Sequence, residues 1–368
     1  MANAAIEDWR VLVSLFPEGW QEQAKLTGAM ERQRGITSPE ALLRLYLLHV
    51  GRGYSLRETV VRARKSGVAS ISDVGLLKRL RRSEEWLRWL CQQLFMENGL
   101  LAPREEPDRG RRVRIVDGTV VREPGKTGSE WRIVYSLQLP DLYCDHFDLT
   151  STVGKGSGES FARVPVEKRD LILGDAGYSS AANIRSVTRQ GGDVLVRINP
   201  QTFVASDNQG KRFDLLAHLG QLKSAGVARD WTVALDDGSV QGRVCALRKT
   251  EEQIERAHHR IKRHASKKQI KTKPETWEYA KYVAVFTTDM HAPSAIVLQW
   301  YQVRWQVELA FKRLKSLAQL GHLPKYDDHS SRAWLYGKLF VALLAQKMIR
   351  TGRDISPWGY LFPLASTA

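Results

Sequence analysis

Cysteine is scarce. Cys91, Cys144 and Cys245 are the only three in 368 residues, and they lie far apart with no C-x-x-C pair. That pattern excludes a disulfide framework and offers no zinc-site spacing. Long apolar runs are also missing; the longest, around Leu339 to Ala345, has the length of a core helix and falls far short of a membrane span. The opening stretch, MANAAIEDWR, has no signal-peptide apolar core. Acid is short relative to base: 40 Asp and Glu stand against 56 Lys and Arg, for a net charge of +16. The expected compartment is therefore a reducing cytoplasm, and the expected partner is nucleic acid, because neutralised phosphates release their counterions. Hydrophobic residues make up 43% of the chain, enough for a sizeable core in two or three domains.

Among what is present, Trp300 to Leu317 (WYQVRWQVELAFKRLKSL) organises the rest. It has no Gly or Pro and its apolar residues recur three and four apart, which predicts a helix. At about 100° per residue, Tyr301, Arg304, Glu308, Lys312 and Lys315 share an arc of roughly 80°. Trp300, Val303, Val307, Ala310 and Leu314 form the adjoining core face. One carboxylate thus sits among three cations and a tyrosine. The stripe fits a ladder of i,i+4 ion pairs, and it equally fits a metal-holding carboxylate flanked by phosphate-gripping cations.

Two upstream aspartates decide between these. Val113 to Val116 is a short β-branched run delivering Asp117-Gly118-Thr119, followed by strand patterns at Trp131 to Leu139 and His146 to Val153. Arg169 to Gly174 reads as a compact strand ending at Asp175-Ala176-Gly177-Tyr178. Ser179 and Ser180 can cap a following helix, and Asp193 to Ile198 gives the next strand. Strand, helix, strand is a parallel crossover unit, and Asp175 stands at the carboxyl end of its first strand, where open α/β sheets place ligands. Gly154 to Ser160 lacks phosphate-loop spacing and reads as a turn, with Glu159 of unassigned role.

The spacing Tyr301-x2-Arg304-x3-Glu308-x6-Lys315, together with the Asp117 and Asp175 blocks, resembles DDE transposases of the insertion-sequence-4 type. The resemblance covers about residues 40 to 350. It implies an α/β fold: a ribonuclease H-like catalytic core with a mixed sheet, interrupted by a β-rich insertion and preceded by a helical DNA-binding region. The expected division is 1–105 for that region, 106–198 and 280–350 for the core, 199–279 for the insertion and 351–368 for a tail. It further implies Asp117, Asp175 and Glu308 as catalytic metal ligands, holding two Mg2+ ions with Mn2+ as a substitute. Carboxylates suit hard cations, and two ions about 4 Å apart stabilise the attacking and leaving oxygens together. Tyr301, Arg304, Lys312 and Lys315 would engage phosphates. Double-stranded DNA, as transposon ends and as target, is the implied partner, bound by a homodimer near the nucleoid and away from any membrane. The opposite-strand attack implies a hairpin intermediate, for which Tyr282 or Trp277 could stack a flipped base. The alternatives are a ribonuclease H-like nuclease or resolvase, and a catalytically dead DNA-binding regulator.

Within the first 105 residues, Ser55-Leu56-Arg57-Glu58 is a capping-box pattern and Ser72-Asp73 opens a second short helix carrying Lys78, Arg79, Arg81 and Arg82. A helix-turn-helix and an ordinary bundle with a basic face both fit; the catalytic resemblance favours DNA binding. The segment 102–110 reads as a linker. His258, His259 and His264, on a basic helix from Glu251 to Gln269, read as solvated or DNA-facing rather than as metal ligands.

Overall fold

The computed structural model describes residues 9–31, 34–101, 111–122, 130–139, 143–153, 158–235, 238–304, 323 and 327–355. The N-terminal part is helical. Helices α1 (Trp20–Leu26), α2 (Pro39–Tyr46), α3 (Leu56–Lys65), α4 (Asp73–Arg82) and α5 (Glu84–Leu101) follow one another at short spacing. Ser38, Ser55 and Ser72 cap the starts of α2, α3 and α4, each hydroxyl accepting from a backbone N–H three residues on. Only half of the expected capping box at Ser55 forms, because the Glu58 carboxylate turns down the helix to Arg62 instead. Gly67 ends the turn after α3 at φ 70°, a conformation that costs a glycine little.

The centre is one eight-stranded sheet. Its strands are β1 (Val113–Arg122), β2 (Glu130–Gln138), β3 (Tyr143–Ser151), β4 (Leu171–Gly174), β5 (Asp193–Arg197), β6 (Ala228–Leu235), β7 (Val240–Arg248) and β8 (Tyr282–Thr287). Their order is β3-β2-β1-β4-β5-β8-β7-β6. The pairs β1–β4 and β4–β5 are parallel and the rest antiparallel. Helix α6 (Ala181–Thr188), capped by Ser180, makes the crossover from β4 to β5, as the sequence predicts. Helix α7 (Leu215–Leu219) is shorter than its apolar pattern suggests.

Two findings correct the strand expectations. The first strand does not stop at Val116: it runs ten residues to Arg122, and Asp117 stands in its middle, opposite Tyr135. The β-branched run Thr119, Val120 and Val121, with Thr119 and Val121 buried, outweighs the turn tendency of Asp-Gly. The strands within 199–279 also do not stand apart, since β7 pairs along the whole of β8 and carries β6 into the same sheet. Helices α8 (Glu251–Lys268) and α9 (Pro274–Tyr279) lead back to β8.

The organising helix begins earlier than its sequence pattern indicates. Helix α10 starts at Ser294, just after Pro293, and ends at Val303, with Arg304 as its C-cap; the expected helix from 305 to 317 lies outside the described residues. Closing helix α11 (Asp328–Ile355) extends past the apolar run around Leu339 to Ala345 at both ends and runs into the predicted tail. The sheet separates two cores. On one face, Ile115, Ile133 and Leu137 meet Trp20, Leu43, Trp86, Leu90, Trp334 and Phe340. On the other, Val116, Val134 and Val194 meet Phe161, Tyr178 and Ile184.

Candidate active site

The parallel centre of the sheet sets the site. Asp117 lies on β1 and Asp175 immediately follows β4, whose neighbour is β1. Strand β4, Leu-Ile-Leu-Gly, is buried throughout, so the first polar residue after it is held rigidly where the strand leaves the core. Asp175 caps the short 3-10 turn Ala176–Tyr178, with Oδ1 accepting from Gly177 N at 2.8 Å. Asp117 Oδ1 accepts from Gly118 N at 2.8 Å. Each aspartate is thereby oriented by its own backbone with one oxygen.

Arg304 arrives from the end of α10, its Nη1 lying 3.9 Å from Asp117 Oδ2. Tyr301, one turn back, is half-buried, and the Arg304 guanidinium sits 5.7 Å from its ring centre. Burial raises the Tyr301 hydroxyl pKa, against the pull of Arg304 and Arg197. The Asp117 carboxyl is pushed up to about 6 by burial; the Gly118 N–H pulls it down, Asp175 pushes it up, Arg304 pulls it down and Glu159 pushes it up. A desolvated carboxylate beside another, with a guanidinium only at the edge of ion-pair range, suits a divalent cation. Among the described residues no set of three His, Cys, Asp or Glu side chains forms a ready metal site. The third expected ligand, Glu308, lies outside the described residues, as do Lys312 and Lys315.

Two residues without an expected role join the site. Glu159 fills a notch formed by two glycines: a methyl on Gly118 would stand 3.3 Å from Glu159 Oε1, and one on Gly177 would collide with Glu159 Oε2. Arg132, on β2, donates from Nη1 to Glu159 Oε1 at 3.1 Å. Burial raises the Glu159 pKa, Asp175 adds to the rise and Arg132 opposes it. An arginine in an alternating strand reads as solvent-facing, and nothing local to the sequence links it to a glutamate 27 residues on.

The remaining candidates are distributed as follows. On α4, Lys78 is exposed, whereas Arg81 pairs with Asp327 at 3.0 Å and Arg82 with Glu31 at 2.8 Å. Arg79 Nη1 reaches Ala29 O at 3.5 Å. Tyr282 is 4% exposed inside the second core, so neither ring face is open to a base, and the stacking expectation fails there. Trp277 is half-buried, edge-on to His258 with ring centres 5.2 Å apart, and its carbonyl meets His258 Nε2 at 3.0 Å. A cleft of about 290 Å3 opens between Val283, Leu298, Tyr301, Gln302 and Arg248. His259 and His264 are exposed on α8.

Comparison with known proteins bears on the family. Residues 150–344 match the family model described as "Transposase DDE domain", a span that contains Asp175 and Glu308 and begins downstream of Asp117. The putative transposase InsL of insertion sequence element IS186A from Escherichia coli (strain K12) is 29% identical over 367 residues, covering 96% of this chain and 97% of the relative. The transposase of insertion sequence element IS421 from Escherichia coli is 29% identical over 368 residues, with the same coverage. The transposase of IS231F from Bacillus thuringiensis subsp. israelensis is 25% identical, over 72% of this chain and 61% of the relative. Among solved structures, the catalytic domain of human endonuclease V overlaps with a TM-score of 0.29 at 13% identity, covering 66% of this chain and 98% of that domain, too loosely to define the fold. No described helix is long and apolar enough to cross a membrane. Since the family model spans more than half of the sequence, the chain belongs to the DDE transposases, metal-dependent enzymes that cleave DNA and transfer its strands.

Proposed function

We propose that this transposase binds the terminal inverted repeats of an insertion sequence, cuts there with Mg2+, passes through a hairpin and joins the freed ends to target DNA. The observation that carries the reading is the meeting of Asp117 and Asp175 at the parallel centre of the sheet, with Arg304 reaching in from α10. Asp117, Asp175 and Glu308 would together hold the ions. When bound, two such ions would neutralise charge on the attacking and leaving oxygens of an in-line displacement. Arg304 can grip a phosphate through two N–H groups, while Lys315 acts as a point charge. Tyr301 orients the Arg304 guanidinium, and Lys312 adds positive charge along the same stripe. The first cut transfers a phosphoryl group to water and leaves a 3′ hydroxyl. That hydroxyl, on losing its proton, attacks the opposite strand and expels the next 3′ oxygen.

The order β3-β2-β1-β4-β5, a three-stranded meander followed by two parallel strands, supports a ribonuclease H-like core. Residues 1–105 would carry end binding, with α3 and α4 as the helix-turn-helix. Arg81 and Arg82 already pair with the chain's own carboxylates, but exposed ion pairs are worth only about 0–1 kcal/mol, so phosphates can replace those partners. The protein would act on DNA as a homodimer associated with the nucleoid.

The test uses duplex oligonucleotides carrying the element's own ends. Mg2+-dependent nicking followed by covalent strand joining is expected. Nicking without any joined product would instead mark a nuclease or resolvase.

A further inference from the structure

Glu159 is the one described carboxylate beside Asp117 and Asp175 that the proposed reaction does not use. Its position is built from both sides. Gly118 and Gly177 clear the space it occupies, since a side chain at either would crowd or strike its oxygens. Arg132 fixes one of those oxygens at 3.1 Å. Behind it stands Tyr178, fully buried and stacked on Phe161 with ring centres 4.5 Å apart. Among the described residues the Tyr178 hydroxyl has no hydrogen-bond partner, yet it lies 3.6 Å from the point where a Gly118 methyl would stand, the same point that Glu159 Oε1 approaches. A buried hydroxyl left without a partner is costly, so such a group calls for a ligand. Among the described residues, three carboxylates here face two guanidinium groups, Arg132 and Arg304.

We propose that Glu159 is a positioning residue of the metal centre: its carboxylate accepts from a water of the ion bound by Asp117 and Asp175, and Tyr178 Oη completes the contacts of that water. The proposal rests on the reading of Asp117 and Asp175 as ion ligands. Glu159 does not itself ligate, in keeping with the absence of a ready three-residue metal site among the described residues. Small divalent ions such as Mg2+ keep several waters, and groups that hold those waters fix the ion's place.

The test is Mn2+ binding to the full chain without DNA, followed by calorimetry and by the metal-induced rise in melting temperature. The variants are Asp117→Asn, Glu159→Gln and Tyr178→Phe. Asp117→Asn is expected to abolish binding. Glu159→Gln, which keeps a hydrogen bond to Arg132, should weaken Mn2+ binding about tenfold, in line with losses seen for outer-shell partners. Its metal-free melting temperature should stay unchanged. Tyr178→Phe should weaken binding several-fold in the same way. Wild-type affinity in Glu159→Gln and Tyr178→Phe, with binding lost in Asp117→Asn, would overturn the proposal and leave the ion-ligand reading intact. A lower metal-free melting temperature with unchanged affinity would make Glu159 a purely structural partner of Arg132 and overturn it too. Wild-type binding in Asp117→Asn would remove the ion-ligand reading itself, and the proposal with it.

Discussion

Arg304 Nη1 stands 3.9 Å from Asp117 Oδ2, joining the end of α10 to the middle of β1 across the site. At that separation the pair is loose. Arg304→Lys keeps the charge and loses the fork, so it should lower cleavage of transposon ends by about 10- to 100-fold, in keeping with roughly 1–3 kcal/mol for a bidentate, charge-assisted contact. End binding, read by gel shift, should change little. Equal cleavage by the lysine variant would show that charge alone suffices.

Replacing Asp117, Asp175 or Glu308 by the matching amide should spare folding and DNA binding while removing metal-dependent nicking. The amide keeps the shape of the side chain but loses the charge that draws the ion. Near-normal nicking by Glu308→Gln would dismiss that residue as the third ligand.

Acidity bears on stability through the same carboxyl. Asp117 titrates at about 6 in the folded protein and near 3.8 when unfolded, so between those values the folded state holds the extra proton. Without metal, stability should therefore fall as pH rises through this window, by on the order of 3 kcal/mol, and then level off. Asp117→Asn should flatten that part of the profile. Added Mn2+ should reverse the trend, because the ion needs the ionised carboxylate. Urea melts at several pH values, with and without Mn2+, measure both effects.

For end binding, charge reversal at Arg79 and Arg82 should weaken affinity for the element's own repeat and reduce its dependence on salt. The full chain is the right material. The first hundred residues share one core with α11, as in the Phe16 and Phe340 rings 5.7 Å apart, so a fragment would expose that surface. Wild-type affinity in the double variant would leave α4 as a packing helix.

Hairpin formation separates the two aromatic candidates. Tyr282→Ala empties a buried site and should cost about 3–5 kcal/mol, lowering the melting temperature and depressing every step. Trp277→Ala removes a half-buried ring packed on His258 and should cost less. On pre-nicked ends, slow hairpin closure with a normal first nick would assign Trp277 to the flipped base, whereas parallel loss of both steps would mark packing.

Local pattern made some of this site legible and left the rest hidden. Leu171 to Asp175 was readable because a short apolar run ending in a polar residue has few other uses. The place of Asp117 within its strand was not, since Asp-Gly favours a turn unless a partner strand holds it open, and that partner, β2, comes later in the chain. The same limit hid the joining of β7 to β8 and the reach of Arg132 to Glu159, both of which depend on which strands become neighbours. The start of α10 is not legible because its first six residues, Ser294 to Gln299, carry no charge and show no helical stripe.

The shared core of the first helices and α11 sets an order of events on the ribosome. Trp86, Leu90 and Cys91 pack with Trp334, Tyr336 and Phe340, and Lys347 Nζ closes on Glu97 at 2.6 Å and on Leu15 O at 2.9 Å. These contacts join positions roughly 250 residues or more apart, so they form last and slowly. A nascent chain therefore finishes its amino-terminal helical region only after its carboxyl-terminal helix has emerged, and a protein truncated before α11 is left with that region incomplete.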